Sequence, residues 1–164
     1  PSTSRCPTRL PPDWASMAHD RERDGRPVLV VEDSDDDFDT VVEAATRAGV
    51  RNRLIRAAGA EIARSLLARE AAGSFSFMLL DYNLPGVDGL AFLEVVRRDP
   101  VLAALPAVIY TTSVNPLDRD AFLRAGANAF HLKSVQHADS LRTLESIFDH
   151  WLTRAAPAPG GPRA

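Results

Sequence analysis

The chain has 164 residues, 45% of them hydrophobic, with one cysteine and a formal net charge of −3. That is enough for one domain with a proper core. The arginines are scattered without a basic run, which argues against nucleic acid as a partner, and Cys6 alone excludes a disulfide framework or a cysteine-rich metal site.

No apolar run approaches the roughly 20 residues of a membrane helix, and the N-terminus lacks the apolar centre of a signal peptide. A cytoplasmic protein with no membrane partner is expected. Residues 1–26 are rich in Pro, Ser, Arg and Asp without periodicity and read as a disordered tail, with Met17 a candidate translation start. The folded domain is expected over residues 27–154, and the Pro/Gly/Ala-rich 155–164 as a second tail.

Pro27 to Val31 is an apolar run ending in Glu32-Asp33, and a helix is expected from Ser34 to Ala48 with Gly49 closing it. Asp35, Asp36, Asp37 and Asp39 read as a solvated helix start that interacts well with the helix dipole. A short strand at Arg53–Ala57 and a helix at Ala60–Ala71 make a second unit. The third is a strand at Phe75–Leu80, the turn Asp81-Tyr82-Asn83-Leu84-Pro85-Gly86, and a helix from Gly89 to Arg98. Pro106–Tyr110 leads to Thr111-Thr112-Ser113, and Pro116 opens a helix ending near Gly126. Ala129–Leu132 is the fifth strand, Lys133 follows at once, and a last helix is expected over His137–Arg154. Five strands alternating with five helices imply an α/β domain with a parallel sheet covered on both faces.

In such a sheet the polar residues at the strand ends share one edge: Glu32-Asp33, Asp81, Thr111 and Lys133. Clustered carboxylates repel unless a cation sits among them, and hard oxygen donors with room for water suit Mg²⁺ or Mn²⁺. Lys133 is the one lysine among 19 basic residues. A compact ammonium suits a point contact to a carboxylate or phosphoryl oxygen. Tyr82 and Tyr110 read as packing aromatics, and His131 as a hydrogen-bonded, half-buried histidine.

Val30-Val31-Glu32-Asp33-Ser34, Leu80-Asp81-Tyr82-Asn83-Leu84-Pro85-Gly86-Val87-Asp88-Gly89, Tyr110-Thr111-Thr112-Ser113 and Gly126-Ala127-Asn128-Ala129-Phe130-His131-Leu132-Lys133 occur in this order at characteristic spacing. With these motifs the chain resembles the CheY-like receiver domain of two-component response regulators over residues 27–154. The resemblance implies a doubly wound (βα)5, flavodoxin-like sheet of order 2-1-3-4-5. It also implies phosphoryl transfer from a sensor histidine kinase to Asp81. Asp33, Asp81 and the backbone carbonyl of Asn83 would then ligate Mg²⁺, with Glu32 reaching it through water. Thr111 and Lys133 would hold the phosphoryl oxygens, and Thr111 and Phe130 would form the switch pair. Similarity to small receivers that partner bacteriophytochrome kinases implies such a kinase and a homodimer through the last strands and helices. The expected output is altered protein–protein binding, since no effector domain follows Trp151.

Three positions depart from the receiver pattern. Ser134 stands where proline usually follows the lysine, so a trans peptide is expected there. Phe130 lacks the hydroxyl that tyrosine would offer, and Thr112 is bulkier than the usual small residue. Trp151 is expected either to stay exposed as an interface aromatic or to fold back as a lid on the core. Two other functions fit the fold: a receiver-like binding module without phosphorylation, and an aspartate-nucleophile phosphatase. The second needs an acid two residues after Asp81, where Asn83 stands.

Overall fold

Four consecutive apolar residues form β1 (Val28–Val31), an inner strand of a five-stranded sheet, buried on both faces. It pairs in parallel with β2 (Leu54–Ala57) on one side and β3 (Met78–Leu80) on the other. β4 (Ala107–Thr111) and β5 (Ala129–Leu132) continue the sheet beyond β3, giving the order β2-β1-β3-β4-β5. This is the doubly wound flavodoxin-like arrangement expected from the sequence, and the direction in which successive strands are added reverses between β1 and β3. Ligand crevices in such sheets lie at the carboxyl ends beside that reversal. The computed structural model describes residues 25–70 and 73–153. Of the expected tails over 1–26 and 155–164, residues 1–24 and 155–164 lie outside the described residues. Arg26 is tied to the domain, with its guanidinium on the Gly73 carbonyl and its own carbonyl accepting from Ser76.

The helices are α1 (Asp35–Arg47), α2 (Ala60–Arg69), α3 (Gly89–Arg98), α4 (Pro116–Arg124) and α5 (His137–Phe148). Ser34, Asp88 and Asn115 cap α1, α3 and α4 with side-chain oxygens, satisfying N–H groups that the first helical turn leaves free. Strand alternation sorts the core into two layers. Val28, Val30, Phe77, Leu79, Val108 and Tyr110 meet α1 and α5, whereas Leu29, Val31, Met78, Leu80 and Ile109 meet α2, α3 and α4.

Two boundaries differ from the sequence expectation for packing reasons. Phe75 to Phe77 are buried as expected, yet the β3 ladder starts at Met78, opposite Leu29, the second residue of β1. The last helix tightens no further than Phe148 and widens into a π-helical turn over Asp149–Thr153. Within that wider turn Leu152 is buried and Trp151 lies 6.2 Å from the Phe77 ring, so Trp151 is a partly buried lid on the core.

Candidate functional site

β1, β3, β4 and β5 each end in a polar residue, and parallel pairing brings these ends together. Glu32 follows β1, Asp81 follows β3, and Thr111 closes β4, all three buried. Lys133 follows β5 and is tied to β4 by its backbone N–H on the Thr111 carbonyl at 2.7 Å. Its ammonium turns inward, 2.7 Å from Glu32 Oε2, 2.8 Å from Asp37 Oδ2 and 3.2 Å from Asp81 Oδ2. The same nitrogen lies 5.5 Å from the centre of the Tyr110 ring, an attractive distance for a cation over an aromatic face.

Burial and charge compete at each of these groups. Burial pushes the Glu32 carboxyl above its ordinary value, and the hydrogen bond and charge of Lys133 only partly offset it. For Lys133, burial works against the ammonium, but the hydrogen bonds it donates to Asp37 and Glu32 and the charge of Asp81 outweigh it. The lysine therefore stays protonated across the neutral range.

Asp81 is lightly held. Its Oδ1 accepts from Asn83 N–H at 3.3 Å and its Oδ2 from Lys133 at 3.2 Å, both long for contacts to a carboxylate. A nucleophile needs a free lone pair, and this geometry leaves one. Thr111 Oγ1 accepts from Ser113 N–H at 3.3 Å, which leaves its proton available to an incoming oxygen. Asp33 and Asn83 sit exposed at the mouth. Phe130 is half-buried, 6.0 Å from Phe122, which in turn meets Tyr82 edge-on at 5.5 Å. No cis peptide occurs among the described residues, so Lys133–Ser134 is trans.

Three contributors escaped the sequence reading. Asp37, grouped there with its neighbours as a solvated helix start, reaches Lys133 from the first turn of α1. Arg56, in the partly buried β2, donates to the carbonyls of Glu32 and Asp33 and to the Asp35 carboxylate, clamping the loop that presents the acids. An arginine inside a short, otherwise apolar strand was the available signal. Gly89 packs against the Asp81 backbone so closely that a Cβ there would stand 2.4 Å from the Asp81 carbonyl oxygen.

The carboxylate oxygens of Glu32, Asp37 and Asp81 lie within 4.8 Å of one another. Hard oxygen donors at that spacing fit Mg²⁺ or Mn²⁺. Beyond that, the edge can hold a small anion: an ammonium bonded to the Asp81 carboxylate and a hydroxyl donor at the end of the neighbouring strand share a buried, low-dielectric setting.

Residues 28–145 match the family model described as the response regulator receiver domain. The chain is 30% identical over 129 residues to response regulator Rcp1 of Synechocystis, covering 76% of this chain and 88% of that protein. Among solved structures it resembles the phosphorylated cyanobacterial phytochrome response regulator RcpA, with TM-score 0.74 and 27% identity, covering 82% of this chain and 99% of that one. The Mn²⁺-bound form of Rcp1 matches with TM-score 0.74 and 28% identity over the same shares.

Proposed function

The chain belongs to the response regulator receiver family, and from that premise we propose that Asp81 accepts a phosphoryl group from a sensor histidine kinase and signals through altered protein–protein binding. The observation that carries this reading is the ammonium of Lys133 held beside a buried, lightly bonded Asp81. Attack by an Asp81 oxygen on a phosphohistidine forms the O–P bond as the P–N bond breaks. The chemistry asks the protein mainly for in-line positioning and for neutralising charge on the equatorial oxygens. Lys133 and the Thr111 hydroxyl supply both from this chain.

Asp33, Asp81 and the Asn83 carbonyl, with Glu32 through water, would hold Mg²⁺, and Mn²⁺ fits the same donors. The ion, when bound, supplies further charge neutralisation to the phosphoryl oxygens. The similarity to a Mn²⁺-bound receiver supports this assignment, as the similarity to a phosphorylated one supports the role of Asp81. The likeness to a phytochrome response regulator favours a bacteriophytochrome as the kinase. Val114, Leu117, Leu132 and Val135 are exposed apolar side chains in and beside α4 and β5, and they favour a homodimer through the last strands and helices.

Acetyl phosphate or beryllofluoride with Mg²⁺ should change the fluorescence or the electrophoretic mobility of the wild type and leave Asp81→Asn unaltered. A response by Asp81→Asn, or none by the wild type, overturns the assignment. Thr112 is exposed beside Thr111, where its bulk hinders water approaching the acyl phosphate. Thr112→Ala is therefore expected to shorten the phosphoryl lifetime about threefold, roughly 0.7 kcal/mol of barrier. An unchanged decay rate of the phosphorylated chain would remove that role.

A further inference from the structure

The Lys133 ammonium has three protons, and each faces a carboxylate: Glu32 at 2.7 Å, Asp37 at 2.8 Å and Asp81 at 3.2 Å. The three acceptors differ in what they lose when the contact opens. The side chains of Glu32 and Asp81 are 5% and 8% exposed, whereas that of Asp37 is 44% exposed. A buried carboxylate stripped of its ammonium keeps the full desolvation cost, while a half-exposed one takes water instead. Besides its interaction with the helix dipole, the Asp37 carboxylate has no hydrogen bond within its own helix to compete with Lys133. At the third position of α1 its carboxylate would ordinarily turn back onto the Ser34 N–H, but Glu32 Oε1 already accepts that group at 3.0 Å.

We infer that Asp37 is a positioning residue that holds Lys133 in the resting state and releases it when a phosphoryl oxygen arrives at Asp81. The inference rests on reading Asp81 as the phosphoacceptor. An ammonium with all three protons engaged must surrender one to serve a new oxygen, and Asp37 is the acceptor whose loss water compensates. The first turn of α1 thereby registers the state of the site, on the opposite sheet face from Phe130 and Phe122. Asp37 competes with the phosphoryl group for one donor, so its removal favours the occupied arrangement by the value of the resting contact. A partly exposed ion pair has a small value, which sets the gain at about two- to fivefold.

Beryllofluoride titrated in saturating Mg²⁺ against wild type, Asp37→Asn and Asp36→Asn tests this directly. Asp36 is an exposed carboxylate one residue away and controls for lost charge alone. Because the chain has one lysine, lysine-selective ¹³C labelling reports Lys133 as a single Cε signal. Asp37→Asn should bind beryllofluoride about two- to fivefold tighter than both other proteins. Its ligand-free Lys133 signal should also lie nearer the beryllofluoride-bound position of the wild type. If Asp37→Asn titrates with Asp36→Asn, or its Lys133 signal coincides with the resting wild type, Asp37 is a helix-start carboxylate and no more. A wild type that binds no beryllofluoride overturns the phosphoacceptor reading together with this one. Binding by the wild type with no effect of Asp37→Asn overturns this one alone.

Discussion

Lys133→Met is expected to destabilise the fold by about 3–5 kcal/mol, because it leaves the buried carboxylates of Glu32 and Asp81 without their ammonium. Methionine fills much of the lysine stem's volume, so little of the loss arises from a cavity. At about 2–4 °C per kcal/mol the melting temperature should fall by roughly 10 °C. Burial already holds the Glu32 carboxyl above its ordinary 4.5, with Lys133 pulling it down. Without the ammonium, burial first and then the charge of Asp81 push it upward, and only the Ser34 N–H still pulls it down. A carboxyl whose folded pKa exceeds its unfolded one favours folding below the unfolded value, and that contribution is lost as pH rises through the folded value. The gap between wild type and variant should therefore be smallest near pH 4.5 and widen as pH climbs through the raised Glu32 value. The contribution of Lys133 itself has the same sign but falls at the alkaline end of the scale. Its folded pKa is raised, so its stabilisation is fully present below the ordinary 10.5 and disappears only above it. Denaturant melts from pH 4.5 to 8 check the pattern. Equal midpoints, or a gap that narrows as pH rises, would contradict it. Mg²⁺ should restore more of the variant's stability than it adds to the wild type, since a cation then replaces a missing one.

Most of the site was legible because strand ends announce themselves. A continuous apolar run followed at once by Glu32, Asp81, Thr111 or Lys133 needs no three-dimensional information beyond the rule that parallel strands share an edge. Helix starts were legible for a similar local reason: helices were expected from Ser34, Gly89 and Pro116, and Ser34, Asp88 and Asn115 cap the helices that begin there. Asp37 was hidden because its local surroundings explained it fully: a carboxylate in a first turn suits the dipole, and nothing nearby marks a lysine 96 positions away as its partner. Arg56 was hidden by the opposite fault, since a half-buried charge in a short strand demands a partner that the strand itself cannot name. The end of the last helix was misjudged because regular 3.6-residue spacing was extended through Trp151 and Leu152. Burying Leu152 and half-burying Trp151 needed the wider turn that the pattern does not encode.

Gly89→Ala is expected to reduce both stability and phosphorylation, although helix propensity alone predicts a gain. Gly89 is the first residue of α3, and alanine is favoured over glycine inside a helix by about 1 kcal/mol. Against that, the added Cβ would stand 2.4 Å from the Asp81 carbonyl oxygen and 3.1 Å from the Tyr82 Cα, both backbone atoms that cannot rotate away. Gly89 N–H also donates to the Tyr82 carbonyl at 2.9 Å, and Asp88 caps the helix through Ala91 N–H at 2.7 Å, so α3 cannot simply slide outward. Overpacking of this kind costs about 1–3 kcal/mol and outweighs the propensity term. The yielding part is the loop carrying Asp81, and a shift of about 1 Å at a reacting group lowers rates by up to about a hundredfold. Gly49→Ala serves as the comparison. Its φ of +68 strains an alanine, yet nothing lies within 4 Å of the new Cβ, so it should cost about 1 kcal/mol and leave phosphorylation alone. Melting temperatures and acetyl phosphate labelling of the two variants separate the effects. Equal labelling of Gly89→Ala and Gly49→Ala would show that the contact between α3 and the Asp81 backbone does not position the nucleophile.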